Sequence, residues 1–278
     1  MNLKNLVSVD WLKKNMINDQ LVIFDVRYKL GDEIYGKVEY DKGHIPGAIF
    51  IEMEDLLTGP VREHGGRHPL PDMEIFRRAI NELGVDDDIN VVIYDDGEIA
   101  MAGRLWFMLR YLGKENVYIL DGGIKEWTAL GNSLDIEVAQ GVSRGTLKAS
   151  YNNELVADVK DVKSALKDNK IAIIDSRTAD RYKGEIEPID KVPGHIPTAL
   201  NYPWPELVER EEKWTKEGLL EHYKDLIKFD EIYVHCGSGI TGTVNMIFLE
   251  EAGLKAKLYN GGYSDWISYP ENEIIKEA

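Results

Sequence analysis

The 278-residue chain contains a single cysteine, Cys236. It directly follows the apolar run IYVH, and the residues after it, GSGIT, lead into TVNMIFLEEAG, whose apolar spacing is helical. The order is strand, cysteine, glycine loop, helix. Such a loop turns backbone N–H groups inward and the helix N-terminus adds about half a positive charge, so the site favours a thiolate or an oxyanion. Gly237 and Gly239 suit a loop folded closely round a ligand. Most lone cysteines are small buried hydrophobes. Cys236 instead ends a strand of parallel type, where open α/β sheets bind ligands, and this favours a nucleophile. His235 points to the other face of its strand and reads as structural. A cysteine phosphatase needs an arginine six residues after the thiol. Here that residue is Gly242, and the loop has no cation of its own. A smaller or less charged group than phosphate is expected at the sulfur.

The elements that position this loop occur twice. In the first half VIFDVR (Val22 to Arg27) is followed by KGHIPGA, VVIYDDG and VYILDGGIKEW; in the second half AIIDSR (Ala172 to Arg177) is followed by PGHIPTA, IYVHCGSG and AKLYNGGYSDW. Four matches in the same order mark a duplication. Short β-rich runs at 21–25, 91–94, 117–120, 171–174, 231–234 and 256–259 alternate with amphipathic segments, the pattern of βα units round a parallel sheet. Ser8, Asp72 and Asp158 read as helix starts, Gly84 and Gly253 as stops. Each half is thus a small α/β domain, 1–135 and 151–278, and the aperiodic stretch 136–150 reads as a linker. Asp95 stands where Cys236 stands, so the first copy has no nucleophile. Asp25 with Arg27 and Asp175 with Arg177 recur in both copies and are expected to hold the fold.

Composition narrows the partners. Lys plus Arg total 33 against 49 Asp plus Glu, a formal charge of -16, so nucleic acid and anionic membranes are repelled at long range. One cysteine excludes an intrachain disulfide and a multi-cysteine zinc site. The N-terminal residues carry no signal-peptide core, and no apolar stretch approaches the ~20 residues of a membrane span. A reducing, cytoplasmic setting is the expectation.

These motifs together resemble the tandem rhodanese sulfurtransferases over essentially the whole chain: GHIP in both halves, the DGG-x3-W and NGG-x3-W endings, and a cysteine in the second half alone. The resemblance implies two rhodanese-like α/β domains, each a five-stranded parallel sheet flanked by helices, the first catalytically silent. Within that family a Cys-Gly-Ser-Gly loop marks the 3-mercaptopyruvate enzymes, whereas thiosulfate enzymes commonly carry basic residues inside the loop. It further implies a Ser-His-acid constellation, filled here by Ser238, by His68 in RHPLPD and by Glu52 in IFIEME. Arg181 in ADRYKG matches a substrate-binding arginine. A second such arginine is replaced by Ile189, with Lys191 the nearest cation.

The expected reaction passes sulfur from a small anionic donor through a Cys236 persulfide to a thiophilic acceptor, cyanide, a thiol or a thioredoxin-like protein. The backbone of Gly237, Gly239, Ile240 and Thr241 would cradle the terminal sulfur. No metal or organic cofactor is called for. Thiosulfate:cyanide transfer is the alternative, followed by a persulfide carrier that does not turn over or a redox-sensing thiol.

Overall fold

The computed structural model describes residues 3–16, 20–139, 143–209 and 214–277. Two compact units form: Asn2–Gly59 with Leu70–Asn152, and Asn153–Ala278 with the segment Pro60–Pro69. Residues 60–69, although encoded in the first half, thus belong to the C-terminal unit. The stretch expected to be a linker is fastened to the N-terminal unit where it is described. Gly145 N–H donates to Asn81 O, Ser150 N–H to Leu112 O, and Leu147 is buried. Residues 140–142 of that stretch lie outside the described residues.

The N-terminal unit contains strands β1 (Leu6–Val7), β2 (Leu21–Asp25), β3 (Ala48–Phe50), β4 (Asn90–Tyr94) and β5 (Val117–Leu120). Its helices are α1 (Val9–Asn15), α2 (Tyr35–Lys42), α3 (Met73–Glu82), α4 (Ala100–Tyr111) and α5 (Gly123–Ala129). The C-terminal unit contains β6 (Val156–Ala157), β7 (Ile171–Asp175), β8 (Leu200–Asn201), β9 (Glu231–His235) and β10 (Lys257–Tyr259). Its helices are α6 (Val159–Ala165), α7 (Ala179–Lys183), α8 (Pro205–Val208), α9 (Lys216–His222), α10 (Gly242–Ala252) and α11 (Gly262–Trp266). Both sheets are parallel and share one topology, β1-β5-β4-β2-β3 and β6-β10-β9-β7-β8.

The inner strands are the continuous apolar runs seen in the sequence, because helices cover both faces of a parallel sheet. Val92, Ile93, Ile173, Ile174 and Val234 are all fully buried or nearly so. Expected helix starts are filled by side chains. Ser8 accepts from Trp11 N–H, Asp72 accepts from Glu74 and Ile75 N–H, and Asp158 forms a reciprocal capping box with Asp161.

The repeated motifs outside the cysteine loop are scaffold. Arg27 donates to Asp25 and to Gly43 O, and Arg177 donates to Asp175 and to Gly194 O, so each DxR turn is tied to the glycine of its GHIP segment. Each GHIP histidine directs Nδ1 at a helix carbonyl, His44 at Tyr40 O and His195 at Tyr182 O, and stacks on that same tyrosine. Fully buried ion pairs survive only when hydrogen bonds satisfy the remaining donors. The backbone carbonyls do that here.

Candidate active site

Cys236 immediately follows β9 and is buried, 2% exposed. Its loop rests on the start of α11: Tyr263 N–H donates to Cys236 O at 2.8 Å and Ser264 N–H to Gly237 O at 2.9 Å. The NGG motif exists for this contact. A Cβ on Gly262 would stand 2.7 Å from Cys236 O, so only glycine lets the loop settle there. Gly239 has φ +79°, and a Cβ there would collide with the Asn260 carbonyl oxygen. His235 is fully buried, and its Nδ1 lies 3.1 Å from Cys236 O, which fixes the proton on that nitrogen. Burial, which disfavours an imidazolium, holds His235 below its ordinary pKa. It is a neutral support for the loop backbone.

Residues 64–68 are stitched to α11 and the residues beside it. His64 Nδ1 meets Ser268 Oγ at 2.7 Å and its ring stacks on Tyr269. Gly65 N–H donates to Asp265 Oδ1, and Arg67 N–H donates to Ser264 Oγ. This lacing brings His68 to the cysteine loop, with Nδ1 at 2.7 Å from Ser238 Oγ. Ser238 is itself buried and His68 is half-buried.

A cluster of charges lies beside Gly237. Arg181 donates from Nε and Nη2 to Glu187 and from Nη2 to Asp190 at 3.0 Å; Arg67 Nη1 donates to the other oxygen of Asp190. Arg177 Nη1 adds a contact to Glu187 at 3.2 Å and its guanidinium lies over the Tyr263 ring. Burial would raise the Glu187 carboxyl, but the hydrogen bonds from Arg181 and from the N–H groups of Asp190 and Ile189 outweigh it and hold it below the usual range. For Asp190 burial wins over Arg67 and Arg181, and the carboxyl sits above its ordinary pKa. Among the described residues no group of three or more His, Cys, Asp or Glu is arranged to hold a metal ion.

A family model described as a rhodanese-like domain matches residues 8–130 and 158–269. The chain belongs to the rhodanese family of sulfurtransferases. Its two rhodanese domains stand in tandem, as the duplication in the sequence requires. The chain is 34% identical over 281 residues to a probable 3-mercaptopyruvate sulfurtransferase of Pseudomonas aeruginosa, covering 99% of each. It is 39% identical over 269 residues to the 3-mercaptopyruvate sulfurtransferase of Escherichia coli K12, covering 94% of each. The crystal structure of SseA from Escherichia coli matches with a TM-score of 0.81 at 36% identity, over 94% of this chain and 99% of that one.

The expected residues fall in four places. Cys236, Gly237, Ser238, Gly239, Ile240 and Thr241 form the loop between β9 and α10, and Ser238 meets His68. Arg181 lies on α7, its Nε edge engaged by Glu187. Glu52 is half-buried in the N-terminal unit, where it precedes a π-helical turn, Met53–Leu57, and its carbonyl accepts from Leu56 N–H. Lys191 is exposed. The cation that shares Asp190 with Arg181 is Arg67, which the sequence reading passed over. Its signal was position alone, next to His68 in a segment carrying two glycines, and nothing local ties residue 67 to residue 190. Glu187 and Asp190 were passed over for the same reason.

Proposed function

We propose that this chain transfers sulfur from 3-mercaptopyruvate, through a persulfide on Cys236, to a thiol acceptor of the cytoplasm such as a thioredoxin-like protein. The observation that carries the reading is the Ser238–His68 hydrogen bond, two residues from the thiol. In the first step the Cys236 thiolate attacks the donor's sulfur. The new S–S bond forms as the carbon–sulfur bond breaks, and the electron pair of that bond goes to carbon as the enolate of pyruvate. Ser238 Oγ–H supplies the proton that turns the enolate into pyruvate, and His68, bonded to the same oxygen, restores it. Glu52 is the acidic member that the family resemblance assigns to the set. Arg181 binds the carboxylate of the donor.

In the second step the acceptor thiolate attacks the outer sulfur, and Cys236 leaves as thiolate. With cyanide as acceptor the product is thiocyanate. Between the steps the loop N–H groups of residues 237–241 hold the persulfide's terminal charge. The N-terminal copy supports this use of the loop. There Asp95 takes the cysteine's place, and its carboxylate accepts from the N–H groups of Gly97, Glu98, Ile99, Met101 and Ala102. A strand–loop–helix of this ancestry therefore closes its amides on a negative charge.

The test is kcat/KM for 3-mercaptopyruvate and for thiosulfate in the wild type and in Cys236→Ser. The reading requires the first donor to be preferred and both activities to vanish in the variant. Turnover surviving without the thiol would end the assignment, and a tenfold preference for thiosulfate would replace the donor.

A further inference from the structure

Arg67, a residue from outside the cysteine loop, lies against that loop at Gly237. A side chain at residue 237 would enter space already filled: a Cβ on Gly237 would lie 2.9 Å from Arg67 Nη2 and 3.5 Å from Arg181 Nη2. Two guanidinium groups thus lie against the residue that follows the thiol. They are held there by one buried carboxylate, Asp190, which bonds Arg181 through Oδ2 and Arg67 through Oδ1. Asp190 is 2% exposed at its side chain, whereas Arg67 keeps 31% of its side-chain surface and Arg181 keeps 16%. The carboxylate is the buried anchor and the cations are the accessible part.

The donors left over point the same way. Arg181 spends Nε and Nη2 on Glu187 and Asp190, so Nη1 carries its remaining N–H groups. Arg67 spends Nη1 on Asp190, and its Nη2, the atom over Gly237, makes no hydrogen bond among the described residues. A guanidinium binds a carboxylate best through two parallel N–H donors. Arg181, with one edge occupied by Glu187, is a poor lone receptor. Arg67 supplies what it lacks.

We propose that Arg67, together with Arg181, binds the anionic group of the sulfur donor, and that Gly237 is glycine because the Arg67 guanidinium takes the place of a basic loop side chain. This rests on Cys236 being the sulfur-accepting thiol. The charge absent from the loop sequence is delivered by residue 67 of the segment Pro60–Pro69, whose lacing to Ser264 and Asp265 fixes its position. A donor carrying its charge on a carboxylate a few bonds from the reacting sulfur fits this arrangement. The anion is gripped beside residue 237 while the sulfur faces residue 236.

Steady-state kinetics of Arg67→Ala, Arg67→Lys and Arg67→Gln, with pyruvate as a competitive inhibitor, test the assignment. Thermal unfolding checks that each variant is folded. The expected result for Arg67→Ala and Arg67→Gln is a rise of about tenfold or more in both the donor KM and the pyruvate inhibition constant, with kcat changed by less than about threefold, the signature of lost uniform binding. Arg67→Lys, which keeps the charge and loses the fork, is expected between these and the wild type. An unchanged KM and inhibition constant in Arg67→Gln overturns the proposal. So does a fall in kcat with KM untouched, which would make Arg67 only a prop for the loop. Should the wild type refuse 3-mercaptopyruvate but accept thiosulfate, the donor reading fails on its own, and the Arg67 variants are then judged by the thiosulfate KM.

Discussion

Asp95 and Cys236 occupy the same place in their two sheets. Each directly follows an inner strand, β4 or β9, and each has its carbonyl bound by the second residue after a glycine pair begins, Ile124 N–H to Asp95 O at 3.0 Å and Tyr263 N–H to Cys236 O at 2.8 Å. The difference is what fills the loop. In the N-terminal unit a carboxylate from the chain itself is enclosed by five backbone N–H groups. The loop is closed on an internal anion, and an external one has no place there.

Asp95→Ala removes that anion and leaves buried donors without partners. An orphaned buried donor costs about 1–3 kcal/mol, and water admitted to the space recovers part of it, so the N-terminal unit is expected to lose about 3 kcal/mol. Urea unfolding measures this. Asp95→Asn, which keeps an acceptor of the same shape, is expected to lose less. If Asp95→Ala unfolds at the wild-type midpoint, the carboxylate is not what holds the loop.

Ser238 and His68 are proposed to protonate the enolate of pyruvate, a need that arises with one donor and not the other. Thiosulfate releases sulfite, which leaves with its charge on oxygen and requires no proton at carbon. General acid–base catalysis is commonly worth about 100-fold or more. Ser238→Ala and His68→Gln are therefore each expected to lower kcat with 3-mercaptopyruvate by about 100-fold, and the double variant by little more than either alone. With thiosulfate all three are expected to stay within about fivefold of the wild type. Equal losses with both donors would show that the pair shapes the loop and does not move a proton.

Much of this arrangement was legible in the sequence, and the limits follow from distance along the chain. The inner strands, the capped helices α1, α3 and α6, and the loop between β9 and α10 rest on contacts within a few residues, and local pattern finds them. The edge strands β1, β3, β6 and β8, two or three residues each, carry too little pattern to be read. The segment 60–69 was read as part of the first domain because nothing in its residues records the bonds to Asp265, Ser264, Ser268 and Asp190. Family resemblance pointed to His68, which lies 2.7 Å from Ser238 Oγ. It had no place for Arg67, since the motif expects a cation at Ile189, in the same loop as Asp190.

Glu187 gives the C-terminal unit a pH dependence of definite sign. Its carboxyl is held below the usual range, so it binds fewer protons folded than unfolded across the interval between the two values. The stability it contributes is fully present above the unfolded pKa of about 4.3 and is lost as pH falls through the folded value. Glu187→Gln is expected to be less stable than the wild type at pH 7, with the gap in urea midpoint closing as the pH is taken below about 4. A gap that stays constant over that range would mean that Glu187 acts through shape and hydrogen bonding alone.

The charge of -16 opposes the approach of any anionic donor, whereas Arg67 and Arg181 are proposed to attract it at short range. The two act over different lengths, and salt separates them. The screening length is about 30 Å at 0.01 M salt and about 10 Å at 0.1 M, so added salt removes the whole-molecule repulsion well before it weakens contacts a few ångströms long. At donor concentrations far below KM, kcat/KM is expected to rise by about two- to threefold between 0.01 and 0.1 M sodium chloride and then to level off or decline. In Arg67→Gln the early rise is expected to persist and the later decline to shrink, since one of the two short-range attractions is gone. A monotonic fall from the lowest salt in the wild type would mean that the local field of the guanidinium pair already dominates encounter.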